Sequence, residues 1–477
     1  MKQVGLTMSL ITCFLQSLLR SWKFFAVEHC GSFMGDREIQ KSMASVVRHC
    51  LAANAQGVTS EAIFERIQQV RVEFAQALLQ HLVEAGAKGA EFFSLLGVVW
   101  ETMRARCSTY EDALVSEETE YFRSLLSVLF LALQFHIDSP SRATPETGDK
   151  RAMVSSYLPQ VTDIVKTVVA QGFRTLTMYL HEQPEKCKPK DFAIVTAILQ
   201  TCLQVKNVDR LFEHMAFHIE DNDAARYACT LFSWADQLAI DGDPVYGELS
   251  MSFLVKLSTL PSLAEHLAVE AVLMQLSTCR LTSFIQQHPT GLGPFSVTPR
   301  LYSIWTTGIL PLCLNLVYNV IRTAPEVAAF LNQFETQLSR TSSAFAEANR
   351  PASGRRSSGS IQRITLSMAS EMYTLGLISF ILHRLREAGP SVGMDSQMIQ
   401  KLKWDVKQVR EDMDFLLERR SLLRVMITAT NEKEEELARQ KPIDAGGSKS
   451  QNRLEERIAS QLSSAVTCLE EEASSSL

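Results

Sequence analysis

The stretch Lys188–Ile240, KPKDFAIVTAILQTCLQVKNVDRLFEHMAFHIEDNDAARYACTLFSWADQLAI, carries three helical patterns with almost nothing between them. Asp191 is predicted to cap the first helix, Asn207 the second, and Asn222 or Asp223 the third. Apolar residues follow each cap at intervals of three and four, which is typical of a helix with one buried face. Before the stop at 241–244, these stripes contain Val195, Ile198, Leu199, Cys202 and Leu203, then Val208, Leu211, Phe212, Met215 and Ile219, then Ala224, Tyr227, Ala228, Leu231, Ala235 and Leu238.

The rest of the chain extends this helical pattern over a length that a single hydrophobic core does not reach. The chain has 477 residues, whereas one core stops growing at roughly 250–300 residues. Its 21 glycines and 15 prolines are few, and no convincing run alternates apolar and polar residues, so strands are not expected. We therefore predict an all-α solenoid, a HEAT- or armadillo-like superhelix of stacked antiparallel helices, in preference to several separate domains.

Composition narrows the function classes. Forty-six per cent of the residues are apolar, and the net charge of −6 with a pI near 6.0 offers no electrostatic footprint for nucleic acid. The ten cysteines are scattered singly, and no asparagine lies in a glycosylation sequon. Both observations indicate a reducing compartment and argue against secretion.

Two apolar segments could be mistaken for membrane or export signals. The N-terminal run starts like a signal peptide but lacks a small-x-small cleavage site, so a packed helix is favoured over a cleaved leader. Leu301–Ile321 is long enough to span a bilayer, but Asn315 and Asn319 would make lipid exposure costly, so a buried helix is favoured. The predicted N-terminal packing stripe contains Leu10, Ile11, Phe14, Leu15, Leu18 and Leu19.

Breaks in the pattern give a predicted domain organisation. Prolines at 244 and 261 are expected to open helices, and Thr59-Ser60 is expected to open the third helix. A single helix is predicted over Gln397–Thr430, with a heptad seam that needs a partner helix from the same stack or from another protein. The predicted parts are N-terminal repeats (1–138), a linker (139–151), central repeats (152–340), a disordered loop (341–363), long C-terminal helices (364–430) and a mobile charged tail (431–477).

No motif predicts a chemical site. His214 and His218 share a helix face at chelating spacing, but no third ligand is evident, and ordinary helix positions are favoured. The pairs His29-Cys30 and His49-Cys50 diverge by about 100° on a helix, which is poor chelating geometry. Catalytic, cofactor-binding and metal-ligating residues are therefore all predicted as none, and no cofactor is expected.

Three weaker features have a functional and a structural interpretation. Gly291-x-Gly293-Pro294 follows no strand and reads as a turn, not as a phosphate cradle. Arg355-Arg356-Ser357-Ser358 has the form that basophilic kinases accept, although a solvated loop is favoured. The aromatic residues Phe232, Trp234 and Trp404 could mark a docking groove, but aromatics at helical spacing more often belong to the core.

Several longer strings are distinctive packing motifs that carry no catalytic residue. The strings are VVAQGFRTLTMYL (168–180), CTLFSWADQLAIDGDPVYGELSMSFLVKL (229–257), TTGILPLCLNLVYNVI (306–321), APEVAAFLNQFETQLSR (324–340), QRITLSMASEMYTLGLISFIL (362–382) and LKWDVKQVREDMDFLLERR (402–420). Together they resemble the C-terminal part of one protein family, the fungal nucleoporin 188 family of inner-ring scaffold nucleoporins.

The resemblance implies a structural subunit of the nuclear pore complex that supports nucleocytoplasmic transport of protein and RNA without catalysis. It implies assembly with other inner-ring nucleoporins through short helical motifs of linker nucleoporins, and contacts with transport receptors or FG-repeat segments. It implies a position peripheral to the nuclear envelope, with no transmembrane segment and no direct nucleic-acid contact. Because the family is far longer than this chain, it also implies that Met1 lies inside the superhelix. Two alternatives stay open: a soluble karyopherin-like transport receptor or adaptor, and an enzyme with a dispersed site.

Overall fold

The computed structural model describes residues 2–33, 35–56, 62–137, 157–346, 363–389, 396–440 and 452–474. Within these ranges the chain is helical, and the only extended pairing consists of three isolated bridges, Ile137 with Val205, Ile240 with Asp243, and Ile364 with Ile427. The prediction of an all-α solenoid is confirmed. The chain divides into two compact units, Met1–Tyr227 and Ala228–Leu477. This boundary falls inside the predicted central repeats, because composition marks surface excursions whereas packing defines a unit.

The first unit is a succession of helices that pack on near neighbours in sequence. Helix α1 packs on α3, α2 on α3 and α4, and α6 on α3, α4 and α8. Residues 157–164 are helical and continue through the π-helical turn Val165–Gln171 into α7. The helices are α1 (Lys2–His29), α2 (Arg37–Gln56), α3 (Ala62–Glu84), α4 (Ala90–Arg106), α5 (Tyr110–Val115), α6 (Thr119–Gln134), α7 (Gly172–Glu182), α8 (Pro189–Cys202), α9 (Phe212–Asp221) and α10 (Ala224–Trp234), which contains the unit boundary.

The central stretch forms the three predicted helices, but its caps differ. Asp191 is not the N-cap of α8: proline occupies the first turn, and the Asp191 carboxylate lies in the third helical position, where it accepts the Lys188 N–H. Asn207 is also not a side-chain cap, because it adopts the left-handed conformation (φ 59°) before a 3-10 turn. Helix α10 ends at Trp234, earlier than predicted, because the Ile240–Asp243 bridge closes a turn beyond it.

Helix α1 turns a different face to the protein from the one predicted. Ala26 is buried, and Lys23 forms an ion pair with Glu73 of α3 (2.6 Å). Phe14 and Leu18 of the predicted stripe are 67% and 43% exposed, so the expected packing of that stripe is wrong for them. An apolar stripe fixes which residues share a face of a helix, but not which element covers that face. The Thr59-Ser60 helix start and the 139–151 linker lie outside the described residues.

Helices of the second unit also pack on one another in pairs. Helices α12, α13 and α14 pack on α16, α17 and α18 respectively. Helices α11 and α12 begin directly after Pro244 and at Pro261, as predicted. The helices are α11 (Val245–Leu257), α12 (Pro261–Val269), α13 (Val272–Ser277), α14 (Arg280–Gln286), α15 (Pro299–Ser303), α16 (Leu310–Asn319), α17 (Ala324–Leu331), α18 (Glu335–Ser342), α19 (Leu366–Ala388), α20 (Val406–Glu418), α21 (Arg420–Met426), α22 (Glu432–Arg439) and α23 (Arg453–Ser474).

The apolar segment that raised the membrane question is a core helix of this unit. Helices α15 and α16 are joined by the π-helical turn Ile304–Ile309 into one continuous segment, Pro299–Asn319. Of the described helices, this segment alone is long and apolar enough to cross a membrane, and 61% of its most apolar window is buried inside the protein. Its asparagines have partners: Asn315 donates to the Ser258 hydroxyl (2.9 Å) and Asn319 to the Ser258 carbonyl (3.0 Å), at the end of α11. These bonds satisfy helix-end groups and explain the two polar residues in an apolar helix.

The C-terminal region departs most from expectation. The predicted single helix Gln397–Thr430 is broken at Arg419 (φ −107°, ψ 64°) into α20 and α21. The heptad seam is nevertheless buried at Val409, Met413, Leu416 and Leu423. Its partner belongs to this chain, because α23 packs along both α19 and α20.

The predicted disordered and mobile segments are partly structured. Helices α22 and α23 lie in the predicted mobile tail, and Leu454, Leu462 and Leu469 of α23 are fully or almost fully buried. The tail is predicted to be mobile because charged residues of both signs are frequent in it, but apolar residues at helical spacing also give α23 one buried face. Thr341 and Phe345, at the start of the predicted disordered loop, are buried, and residues 347–362 lie outside the described part of the chain.

Candidate functional site

A buried carboxylate in the second unit joins three parts of the sequence. Glu371 of α19 is 1% exposed. Its oxygens accept hydrogen bonds from the Tyr302 hydroxyl (2.8 Å), the Trp305 indole N–H (2.7 Å) and the Thr341 hydroxyl (2.8 Å). Arg340 supplies the opposite charge through Nη2. Burial and the adjacent carboxylate raise the Tyr302 pKa well above its ordinary value.

The same cluster extends to the loop 287–298 through Gln337. The Gln337 amide is fully buried, and it accepts the Leu292 N–H (2.6 Å) and donates to the Leu292 carbonyl (2.9 Å). It also donates to Glu371 at 3.3 Å. Both backbone groups of one loop residue are therefore satisfied by one side chain, which fixes the base of the loop to α18.

The first unit has a comparable buried ion pair. Arg123 of α6 donates to both oxygens of Asp191 in α8 (2.6 and 2.7 Å), the planar two-bond geometry that arginine forms with carboxylates. Arg123 also donates to the Lys186 carbonyl (3.0 Å) and to the exposed Glu120 (2.8 Å). The pair thus ties α6 to the turn that begins α8.

These clusters bond mainly to internal partners and therefore suit helix positioning better than catalysis. Glu371 is almost fully excluded from solvent and accepts from Tyr302, Trp305, Thr341 and Arg340, whose Nε is left without a hydrogen-bond partner among the described residues. Burial raises the pKa of the Cys187 and Cys229 thiols to about 12, which leaves them protonated and unreactive.

His136 is a buried imidazole enclosed by aromatic rings. Its ring centroid lies 4.3 Å from that of Tyr157 and 5.1 Å from that of Phe93. Among the described residues neither ring nitrogen has a hydrogen-bond partner of ordinary geometry, although a backbone contact with Phe93 partly offsets the effect of burial on the His136 pKa. Burial lowers the His136 pKa from 6.5 to about 4, so the ring is neutral at physiological pH.

We expect this histidine to make stability depend on pH. Because its pKa is about 4 when folded and 6.5 otherwise, the unfolded chain takes up the proton first as the pH falls. The contribution of His136 to the free energy of unfolding is therefore complete above pH 6.5. It is lost as the pH falls from 6.5 to about 4, and the loss is on the order of 3 kcal/mol. Urea unfolding of the wild type and of His136→Phe, followed by circular dichroism, measures the difference. Parallel pH profiles for the two proteins would contradict the prediction.

The residues that the sequence suggested as ligands do not converge. His214 is exposed and His218 is partly buried on α9, and burial is the main cause that lowers the His218 pKa. No group of three or more His, Cys, Asp or Glu side chains in the described ranges is placed to hold a metal ion. Gly291 has φ +68° in a turn closed by the Gly291 N–H to the His288 carbonyl.

The suggested aromatic groove belongs mainly to the interior. Phe232 is fully buried, Trp404 is nearly so, and Trp234 is partly buried. The phosphorylation motif at 355–358 lies outside the described residues and stays a prediction.

Sequence reasoning missed the three polar residues around which the interior is built, Glu371, Arg123 and His136. A signal was available for the first two: each is a charged residue within an otherwise apolar helical run. Such residues are almost never fully buried unless they are paired. The pairing partner, however, is far away in sequence and could not be identified from it.

The helices form an all-α stack, and its buried polar clusters hold helices against one another. These two features are typical of helical-repeat scaffold and adaptor proteins. Comparison with known proteins narrows this class. The family model for the nuclear pore protein NUP188 C-terminal domain matches residues 95–469. The chain belongs to the NUP188 family, and the sequence resemblance is confirmed.

Individual relatives agree with the family match. The chain is 30% identical to nucleoporin NUP188 of Chaetomium thermophilum over 503 aligned residues, covering 97% of this chain and 26% of that protein. It is 22% identical to nucleoporin nup184 of Schizosaccharomyces pombe, covering 63% of this chain and 18% of that protein. A solved structure of Nup188(aa1445-1827) from Myceliophthora thermophila has a TM-score of 0.63 and 30% identity, covering 79% of this chain and 98% of that fragment. The chain spans about a quarter of the curated relative from Chaetomium.

Proposed function

We propose that this chain is a scaffold segment of the nuclear pore complex, in its inner ring at the nuclear envelope, and that it supports transport of protein and RNA. The observation that carries the proposal is the family match over residues 95–469, reinforced by a solved NUP188 fragment of similar fold. The packed polar clusters are consistent with a scaffold, since each of them fixes one helix against another. We further propose that the chain acts without catalysis.

Its proposed partners are other nucleoporins, above all short helical motifs of linker nucleoporins, with transport receptors or FG-repeat segments as further partners. A helical stack suits this role because an amphipathic helix can insert its apolar face between the helices of a solenoid surface. We also propose that the chain makes no direct contact with nucleic acid and does not span the membrane.

Photobleaching of the protein in living cells tests the proposal. The gene is tagged with a fluorescent protein at its own locus, and one region of the nuclear rim is bleached. We expect a punctate rim that recovers slowly, because a scaffold subunit exchanges only when its assembly comes apart. A tagged soluble transport receptor in the same cells provides the fast reference. Diffuse fluorescence, or recovery as fast as the receptor, would contradict the scaffold and support the soluble-receptor alternative.

A further inference from the structure

The loop 287–298 and the neighbouring helix ends border a shallow, open cleft of about 580 Å³ in the second unit. Its walls are the loop, the C-terminal end of α18 and the segment that leads into α19. The loop is held firmly, because Leu292 is fully buried and both of its backbone groups bond to Gln337. A cleft with a fixed wall requires little ordering when a ligand binds, which favours affinity.

The outer wall of the cleft carries apolar side chains that face solvent. Phe295 is 54% exposed and Val297 is fully exposed, although both belong to a loop whose base is tied to the core. Pro294 and Met368 also line the cleft. Half-exposed aromatic residues beside fixed backbone are the usual anchors of protein interfaces.

Two arginines, Arg363 and Arg340, are the charged side chains among the described residues that line the cleft. The charge of Arg340 is compensated by its ion pair with the buried Glu371. Arg363 is exposed, and its guanidinium lies 5.7 Å from the centroid of the Phe295 ring, with no ion pair to another described residue. Among the described residues, a guanidinium without an ion-pair partner therefore lies beside an exposed aromatic ring.

We propose that this cleft binds a short acidic peptide segment of a partner protein, in which a carboxylate lies next to an aromatic or large aliphatic side chain. The carboxylate pairs with Arg363, whose planar guanidinium suits two parallel hydrogen bonds. The neighbouring apolar side chain packs on Phe295 and Val297. A peptide fits better than a nucleic acid, because a single uncompensated arginine cannot follow a phosphate backbone. This inference goes beyond the proposed function and does not depend on residence at the pore.

Fluorescence anisotropy with the purified full chain tests the site. The probe is a short fluorescein-labelled peptide in which glutamates alternate with phenylalanines. One comparison peptide has lysine for glutamate, and another has alanine for phenylalanine. We expect saturable binding of the first peptide and binding at least about fivefold weaker for each of the other two.

Variants locate the binding on the protein. Arg363→Ala and Phe295→Ala are each expected to weaken binding of the glutamate–phenylalanine peptide at least about fivefold. The matched controls are Arg322→Ala and Phe284→Ala, which alter an exposed arginine and a half-exposed phenylalanine elsewhere in the same unit and should leave the affinity unchanged. Circular dichroism checks that every variant keeps its helix content. Absence of saturable binding, equal binding of the lysine peptide, or unchanged affinity in the two cleft variants would each overturn the proposal.

Discussion

Replacing Glu371 with leucine will destabilise the second unit by about 4 kcal/mol, because one buried partner of an ion pair is removed and the other is left. Arg340 would keep a buried charge without its carboxylate, and the Tyr302 hydroxyl and Trp305 indole N–H would lose their acceptor. Hydrogen exchange of the full chain, measured by mass spectrometry, shows which helices lose stability. Peptides from α18 and α19 should exchange roughly a thousandfold faster in the variant.

Two further variants separate the buried charge from the packing around it. Glu265→Gln removes an ion pair with Arg322 in which both side chains are about 60% exposed, and it should cost less than about 1 kcal/mol. Adding Arg340→Met to the leucine variant should recover part of the loss, because it removes the orphaned charge. Unchanged exchange in α18 and α19 of the single variant would show that Glu371 does not hold these helices.

Replacing Asp191 with alanine will destabilise the first unit by about 3 kcal/mol, because it removes the buried partner of Arg123 and the acceptor of the Lys188 N–H. Faster exchange is expected in peptides from α6 and α8. The matched control is Glu120→Gln, which removes the other carboxylate of the same arginine. Glu120 is 60% exposed, so its loss should cost at most about 1 kcal/mol. Equal effects of the two substitutions would contradict the role assigned to the buried pair.

The sequence predicted those features of the fold that depend on local pattern. Helix positions in the central stretch and helix starts at Pro244 and Pro261 follow from periodicity and from proline geometry, which act over a few residues. The resemblance to the nucleoporin 188 family also came from strings of packing residues. The position of Asp191 inside α8 follows from the proline in the first turn, a local signal that the prediction did not use. Its pairing with Arg123 depends on a residue 68 positions away, which no local rule anticipates.

The candidate sites were less predictable than the fold for the same reason. The exposed side of α1 and the break at Arg419 do not follow from the apolar stripes, which fix only the residues that share a helix face. Glu371 was visible as a carboxylate in an apolar helix, but its donors come from two segments well before it in the chain. A polar residue out of place in a helical pattern is therefore a useful signal whose partner only the fold supplies.

The packing of α23 against α19 has a consequence for biosynthesis. Gly376 of α19 faces α23, and a Cβ added there would be 3.5 Å from the Ala465 carbonyl oxygen, which is ordinary van der Waals contact. During translation α19 leaves the ribosome well before α23 does, so its apolar side is without this cover for that interval. Nascent chains in such a state are prone to aggregate, and general chaperones protect them. Yield of soluble protein should therefore depend on chaperone supply during synthesis as well as on the stability of the finished fold.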